Sequence, residues 1–217
     1  MPGPTRPCIT VLAGTNGAGK SSIGGALLRQ RGGDYFNPDE AARRFRDLDS
    51  SLSQADANSL AWHEGTRLLE RAIENRRSFM FETTLGGRTI ARLLERAIES
   101  ALEVKIWYAG LETPELHIER VRARVARGGH DIPEADIRRR YTQSMENLIM
   151  LLPGLTELAV FDNSRSGDPR ENQPPQPRLL LHMSNGQISG PTPENLRLTP
   201  DWAKPIVAAA LRLASPG

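Results

Sequence analysis

The sequence of 217 residues predicts an α/β fold, in which a mostly parallel sheet is flanked by helices. Short apolar runs that fit buried strands alternate with longer segments whose apolar residues recur every three or four positions. A glycine-rich turn directly follows the first apolar run and directly precedes a predicted helix. This alternation is typical of parallel strands joined by helices.

Each core element has its own local signal. The longest predicted helix is expected to bury Leu60, Leu68, Leu69, Ala72 and Ile73, and proline opens two later helices. In chain order we predict strand 8–13, helix 20–30, strand 35–36, helices 40–45 and 53–76, strand 78–81, helix 88–101, strand 104–111, helices 114–127 and 133–152, and strand 158–161.

The C-terminal part is predicted to add a hairpin and a helix. Residues 164–177 are polar and proline-rich, which indicates a loop. Asn185-Gly186 between two short apolar runs is a strong hairpin signal, and residues 200–213 have the pattern of an amphipathic helix. We therefore predict one domain over 1–217, with its core at 8–165 and the hairpin and helix at 178–214.

Composition excludes several classes of protein. Cys8 is the only cysteine, so an intrachain disulfide is excluded and a reducing, cytoplasmic location is expected. The sequence shows neither an export signal nor an apolar run of membrane-spanning length, so no membrane partner is expected. A net charge of +2 and 5% aromatic residues argue against nucleic acid as a partner.

The glycine-rich turn carries the most specific motif. Its residues match G-x-x-x-x-G-K-[ST] at every fixed position, which is the pattern of a P-loop. Glycines let backbone N–H groups surround phosphate oxygens, lysine reaches the β- and γ-phosphates, and the hydroxyl that follows binds Mg²⁺. The predicted ATP- and Mg²⁺-binding residues are Gly14, Thr15, Asn16, Gly17, Ala18, Gly19, Lys20, Ser21 and Ser22.

Other motifs narrow the class of P-loop protein. The Leu-Ser-Gly-Gly-Gln signature of transporter ATPases is absent from the sequence, and so is the Asn-Lys-x-Asp motif of GTPases. By elimination the sequence favours a small-molecule kinase, which should place acidic residues at strand ends and arginines in a lid.

Two carboxylates follow predicted strands. Asp39 comes just after the second strand, where it could orient or deprotonate an acceptor hydroxyl, although Asn37-Pro38-Asp39 is also a well-formed helix start. Glu82 ends the third strand, with Thr84 beside it, and could hold a Mg²⁺-bound water or a substrate hydroxyl. The alternative for Glu82 is a cap on a backbone group.

Seven arginines lie between Arg120 and Arg140. Arg120, Arg124 and Arg127 have the i, i+4, i+7 spacing of one helix face. One or two arginines are expected to clamp the transferring phosphoryl group, and the others to form a solvated face. His130, in the turn between two helices, is expected to be structural.

These residues resemble the zeta toxin family of small kinases, and most closely its short branch. The resemblance covers residues 8–165 and depends on four stretches: 14–22, 37–39, 81–88 and 120–148. It implies an adenylate-kinase-like fold and an activity that uses ATP to phosphorylate a hydroxyl of UDP-N-acetylglucosamine. It also raises an antitoxin protein as a partner.

Carried over residue by residue, the resemblance assigns roles to the candidates. Lys20 is the phosphate lysine, Asp39 is the base, and Glu82, Thr84 and Arg88 are substrate contacts. Arg124 falls on one γ-phosphate arginine of the family. The second falls near His130, so that Arg127 or Arg140 is expected to replace it.

Two other functions remain open from the sequence. The arginine-rich lid could grip a strand in a kinase of nucleic-acid ends. Alternatively, the chain could be a nucleotide-dependent switch with little transfer activity.

Overall fold

The computed structural model describes residues 6–20, 23–24, 35–165, 177–190 and 192–214. Its strands are β1 Cys8–Ala13, β2 Tyr35–Phe36, β3 Phe79–Thr83, β4 Glu103–Gly110, β5 Glu157–Asp162, β6 Arg178–Ser184 and β7 Gln187–Gly190. They form one seven-stranded sheet in the order β2-β3-β1-β4-β5-β6-β7. The predicted α/β class is confirmed.

The helices of the described residues are α1 Pro38–Leu48, α2 Gln54–Glu74, α3 Arg88–Glu99, α4 Pro114–Val125, α5 Glu134–Leu151, α6 Pro193–Leu196 and α7 Lys204–Ala214. Side chains cap the starts of α1, α2 and α4. Asn37 Oδ1 accepts hydrogen bonds from the N–H groups of Asp39 and Glu40 at the start of α1, and Thr113 caps α4. The predicted helix over 20–30 lies largely outside the described residues.

The first five strands are parallel, so their carboxyl ends meet at one edge of the sheet. β1 pairs with β3 and β4, β2 pairs with β3, and β5 pairs with β4, in each case in parallel. Open parallel sheets bind ligands outside this edge. The P-loop follows β1 there, Asn37 follows β2, Thr84 follows β3 and Asn163 follows β5.

The C-terminal hairpin extends the same sheet. β6 pairs antiparallel with β5, and β7 pairs antiparallel with β6. Trp202 and the apolar face of α7, including Ile206 and Ala210, are buried with the main core. A Cβ added at Gly110 would lie 2.2 Å from the Trp202 ring, so this glycine permits the close packing of the C-terminal segment against β4.

None of the helices within the described ranges is long and apolar enough to cross a bilayer.

Candidate active site

The P-loop leaves β1 in a backbone conformation that glycine favours. Gly14, Gly17 and Gly19 have φ values of +140°, +83° and +77°. A Cβ at Gly14 would lie 2.2 Å from the Ala109 carbonyl oxygen, and one at Gly17 would lie 2.7 Å from that of His117. Close packing therefore requires glycine at positions 14 and 17.

Lys20 points back over this loop. Its Nζ donates a hydrogen bond to the Gly14 carbonyl at 2.9 Å. Burial lowers the pKa of Lys20, and the nearby carboxylates Glu82 and Asp39 oppose that shift. Ser21 and Ser22, the predicted Mg²⁺-binding and phosphate-binding serines, lie outside the described residues.

Asn163 supports the loop from the end of β5. Its buried side chain donates from Nδ2 to the Ala18 carbonyl at 2.9 Å, and its own N–H bonds to the Gly110 carbonyl at 3.0 Å. Arg120 in turn donates to the Asn163 carbonyl at 2.8 Å. Sequence reasoning missed Asn163, although its position directly after a core strand matches that of Asn37 and Thr84.

His117 supports the loop from α4. It is 1% exposed, and its Nδ1 lies 2.8 Å from the Asn16 carbonyl oxygen. Because that partner can only accept, Nδ1 carries the proton and donates it. Burial lowers the pKa of His117 to about 4, so the ring is neutral near pH 7. Nothing in the sequence distinguished His117 from a surface residue of the arginine-rich helix.

Arg140 reaches the same loop from α5. Its guanidinium donates to the Asn16 side-chain oxygen at 2.9 Å, and its carbonyl accepts from Thr15 Oγ1 at 3.4 Å. Asp136 lies 3.5 Å from the guanidinium on the other side. Arg140 therefore lies against the P-loop, and its predicted role in nucleotide binding stays a prediction.

An open cleft of about 390 Å³ joins the P-loop to the ends of β2 and β3. Its basic residues are Lys20, Arg124, His130 and Arg140, and they lie on the P-loop side or on the segment from α4 to α5. The opposite wall comes from α2, from the ends of β2 and β3, and from the start of α3. The named candidates that line the cleft are Asn16, Gly17, Lys20, Asp39, Glu82, Thr84, Arg124 and Arg140.

Asp39 lines the cleft next to two basic side chains. Its carboxylate is 3.5 Å from the Arg124 guanidinium and 4.0 Å from His130 Nε2. Arg124 also donates to the His130 carbonyl at 3.1 Å, while its Nε is buried without a hydrogen-bond partner in the described part of the chain. Burial lowers the pKa of His130, and Asp39 opposes that shift. A base candidate, an arginine and an imidazole thus meet at one point.

Glu82 and Thr84 line the cleft from the end of β3. Glu82 is buried and accepts hydrogen bonds from the Tyr35 hydroxyl and from Asn37 Nδ2. Thr84 Oγ1 accepts from the Gly86 N–H at 3.3 Å, and its carbonyl accepts from Ser144 at 2.7 Å. Both predicted acceptor-side residues therefore face the cleft from well-held positions.

Three predicted arginines are placed elsewhere. Arg88 is exposed at the first position of α3 and is not among the residues that line the cleft. Arg127 lies beyond the end of α4, and its exposed side chain bonds to the Ala123 carbonyl. Arg120 donates hydrogen bonds to the residues after β5, whereas Arg124 lines the cleft. The predicted arginine face is therefore wrong for Arg120 and Arg127.

The described residues contain no group of three His, Cys, Asp or Glu side chains able to hold a metal. Mg²⁺ in kinases is usually held by phosphates, water and one or two protein oxygens.

Comparisons with known proteins agree with this architecture. The family model described as zeta toxin matches residues 1–165. An uncharacterised protein of Haemophilus influenzae is 32% identical over 132 residues, which cover 59% of this chain and 88% of that protein.

Solved structures share the fold at low identity. The native AvrRxo1-ORF1:ORF2 complex gives a TM-score of 0.65 at 14% identity, covering 98% of this chain and 72% of that one. The same complex with ATP gives 0.63 at 17%, covering 89% of this chain and 62% of that one, less than two thirds of its length. The PezAT toxin-antitoxin system of Streptococcus pneumoniae gives 0.52 at 16%, covering 95% and 88%.

Proposed function

Because this chain belongs to the zeta toxin family, we propose that it transfers the γ-phosphoryl group of ATP to a hydroxyl group of a small molecule. One observation carries the proposal: Lys20 of the P-loop, Arg124 and Asp39 line the same cleft. A phosphate cradle, a phosphoryl clamp and a base are the parts that phosphoryl transfer requires.

Each residue has a distinct role in this proposal. Lys20 and the backbone of residues 14–19 bind the β- and γ-phosphates. Arg124 and Arg140 neutralise charge on the transferring group. Asp39 accepts the proton of the acceptor hydroxyl, whose oxygen bonds to the γ-phosphorus while the bond to the ADP oxygen breaks and ADP keeps the electron pair.

Ser21 and Ser22 complete the nucleotide site in this proposal. Ser21 would hold Mg²⁺, which when bound neutralises phosphate charge. Glu82 and Thr84 orient the acceptor hydroxyl from the end of β3, where both line the cleft.

The acceptor and the biological partner come from the family resemblance. UDP-N-acetylglucosamine is the acceptor that it implies, so this compound belongs in any test. Since PezAT is described as a toxin–antitoxin system, an antitoxin protein is also proposed as a partner. We place the activity in the cytoplasm, where ATP is available and Cys8 stays reduced.

The test is transfer of label from γ-labelled ATP. The purified chain is incubated with Mg²⁺ and a panel containing UDP-N-acetylglucosamine, N-acetylglucosamine, nucleosides and an oligonucleotide with a free 5′-hydroxyl. A labelled small-molecule product that Asp39→Asn does not form supports the proposal. ATP hydrolysis without a labelled product favours a switch, and label on the oligonucleotide alone favours a nucleic-acid kinase.

A further inference from the structure

Three polar side chains of α5 lie on one face of the helix. Arg140, Ser144 and Asn147 have the i, i+4, i+7 spacing that places residues on a common face. Arg140 contacts the P-loop at its end of this face. Ser144 and Asn147, further along the helix, contact residues 84–87, which we call the β3–α3 loop. One helix face therefore contacts both the P-loop and the loop that carries Thr84.

The carbonyl groups of the β3–α3 loop accept hydrogen bonds from this face. Ser144 Oγ donates to the Thr84 carbonyl at 2.7 Å. Asn147 Nδ2 donates to the Leu85 carbonyl at 2.8 Å and to the Gly87 carbonyl at 3.4 Å. Two side chains of α5 thus hold the loop at both of its ends.

The backbone of the β3–α3 loop needs this support. Leu85 is fully buried and has a φ of +53°, in the left-handed region that residues other than glycine rarely adopt. Such a conformation persists only where the surrounding structure determines it. The Leu85 N–H bonds to Thr83 Oγ1 at 3.0 Å, within the same segment of the chain. The hydrogen bonds from α5 connect the loop to another element.

Ser144 is itself oriented by a buried hydrogen bond. It is fully buried, and the Tyr108 hydroxyl of β4 lies 3.1 Å from its Oγ. Because the Thr84 carbonyl can only accept, Ser144 donates its one proton to Thr84 and accepts that of Tyr108. Burial raises the pKa of Tyr108, so its hydroxyl keeps this proton. The hydrogen bonds therefore run in one direction, from β4 through α5 to the β3–α3 loop.

Gly86 brings the loop against the residue that contacts the P-loop. A Cβ added at Gly86 would lie 2.7 Å from Arg140 Cγ and 3.2 Å from Arg140 Cα. The guanidinium and the carbonyl of the same arginine bond to the P-loop. The spacing between Thr84 and the P-loop is therefore set across α5.

We propose that Ser144 and Asn147 are positioning residues for phosphoryl transfer, which hold the β3–α3 loop on α5 so that Thr84 keeps a fixed distance from the P-loop. Neither is among the described residues that line the cleft, so both act through the loop. This inference rests on the proposed kinase function, in which Thr84 and Glu82 orient the acceptor hydroxyl. A role in stability alone predicts different kinetics.

The first test replaces the Asn147 amide with a carboxylate, which cannot donate. Asn147→Asp is compared with wild type in label transfer from γ-labelled ATP to UDP-N-acetylglucosamine. We expect KM for UDP-N-acetylglucosamine to rise about tenfold or more, while the Kd for MgATP changes less than about twofold. A role in stability alone would lower kcat and leave both constants unchanged. That result, or an equal rise in the Kd for MgATP, would overturn the inference.

Gln143→Glu is the matched control, because it makes the same change from amide to carboxylate on the same helix. Gln143 accepts from Arg139 through its side-chain oxygen, which the substitution keeps, so wild-type kinetics are expected. Ser144→Ala removes the donor to Thr84 and should change the constants in the same direction as Asn147→Asp. A wild-type KM in Ser144→Ala, or equal effects of Gln143→Glu and Asn147→Asp, would contradict the positioning role.

The second test asks whether Asn147 acts through Thr84. Thr84→Val, which removes the hydroxyl, is combined with Asn147→Asp. The double variant should have nearly the kcat/KM of Thr84→Val alone, because the effects of residues that act as a unit are not additive. Losses that multiply would mean that Asn147 acts independently of Thr84, and the inference would be wrong.

A third readout needs no turnover. Hydrogen–deuterium exchange of a peptide covering residues 84–87 is measured by mass spectrometry without nucleotide. Asn147→Asp should speed exchange there about tenfold or more and leave exchange in β5 at the wild-type rate. Unchanged exchange at residues 84–87 would overturn the inference. Failure of the kinase function would appear separately, as faster exchange in Asn147→Asp together with a wild-type chain that labels no acceptor.

Discussion

Lys20 is held by its own loop at the point where the phosphates are proposed to bind. Its ammonium donates a hydrogen bond to the Gly14 carbonyl. We therefore expect Lys20→Ala to lower ATP turnover by roughly 10²- to 10³-fold while the melting temperature without nucleotide stays at the wild-type value. Lys105→Ala is the control, since Lys105 pairs with carboxylates on the sheet surface. Undiminished turnover in Lys20→Ala would contradict the P-loop assignment.

Asp39 can be separated from nucleotide binding. Asp39→Asn should lower transfer by roughly 10²- to 10⁴-fold, because the proton acceptor is lost, and should leave the Kd for ATP near wild type. The exposed pair with Arg124 contributes little stability, about 1 kcal/mol or less. Asp47→Asn, at an exposed position of α1, is the control. Parallel loss of ATP affinity and transfer would favour the role of Asp39 as a helix-start residue.

Arg124 is predicted to act mainly in the transition state. Its Nε is buried without a partner among the described residues, so an oxygen of the transferring group could accept from it. Arg124→Ala should lower kcat by roughly 10³- to 10⁵-fold and weaken ATP binding far less. Arg122→Ala is the control, because Arg122 pairs with Glu134 at the surface. Similar losses in both variants would indicate diffuse electrostatics instead of a positioned arginine.

At the scale of helices and strands, the sequence was a good guide where a signal is local. The P-loop, the ends of β2 and β3 and the helix starts each depend on neighbouring residues, and the structure has them where the patterns predicted. The direction in which each arginine side chain points is not determined by its neighbours in the sequence. α4 ends at Val125, so Arg127 lies beyond the helix. Arg120 turns towards Asn163, which follows β5 and which spacing alone cannot reveal.

The contact between α4 and the P-loop predicts a pH dependence of stability. His117 has a pKa of about 4 when folded and a higher, ordinary value when unfolded, so the unfolded chain binds more protons between these values. Neutral His117 contributes fully to the free energy of unfolding above about pH 6.5. As the pH falls towards 4, this free energy decreases by on the order of 3 kcal/mol.

The measurement is the free energy of unfolding in urea at several pH values. His117→Gln should flatten the fall between about pH 6.5 and 4, because glutamine cannot gain the proton. His63→Gln, at an exposed histidine, should follow the wild-type curve. A wild-type slope in His117→Gln would assign the acid sensitivity to other groups.

For the whole molecule, we propose that residues 1–217 form a single domain. The hairpin continues the sheet of the core, and the main apolar cluster includes residues from β1, from β3 and from α7. Sequence patterns identified the hairpin and the helix separately. The hairpin pairs with β5, and no local sequence pattern predicts which strand it pairs with.

The single-domain proposal can be tested by a substitution at Trp202. Trp202→Ala should lower the free energy of unfolding by about 3–5 kcal/mol, because a buried ring is lost beside Gly110. Leu213→Ala, where the side chain is 44% exposed, should cost less than about 1 kcal/mol. Urea unfolding followed by circular dichroism measures both. A small effect at Trp202, or two separate transitions, would mean that the tail folds independently.

The end of β4 gives the tail an influence over the chemistry. Ala109 lies against Gly14 of the P-loop, and the next residue, Gly110, lies against Trp202. Trp202 is outside the residues that match the family model. A substitution at Trp202 is therefore expected to displace the end of β4 and, through the adjacent residue Ala109, the backbone of the P-loop. In this way a sequence change in the C-terminal segment can act on the loop without changing any of its residues.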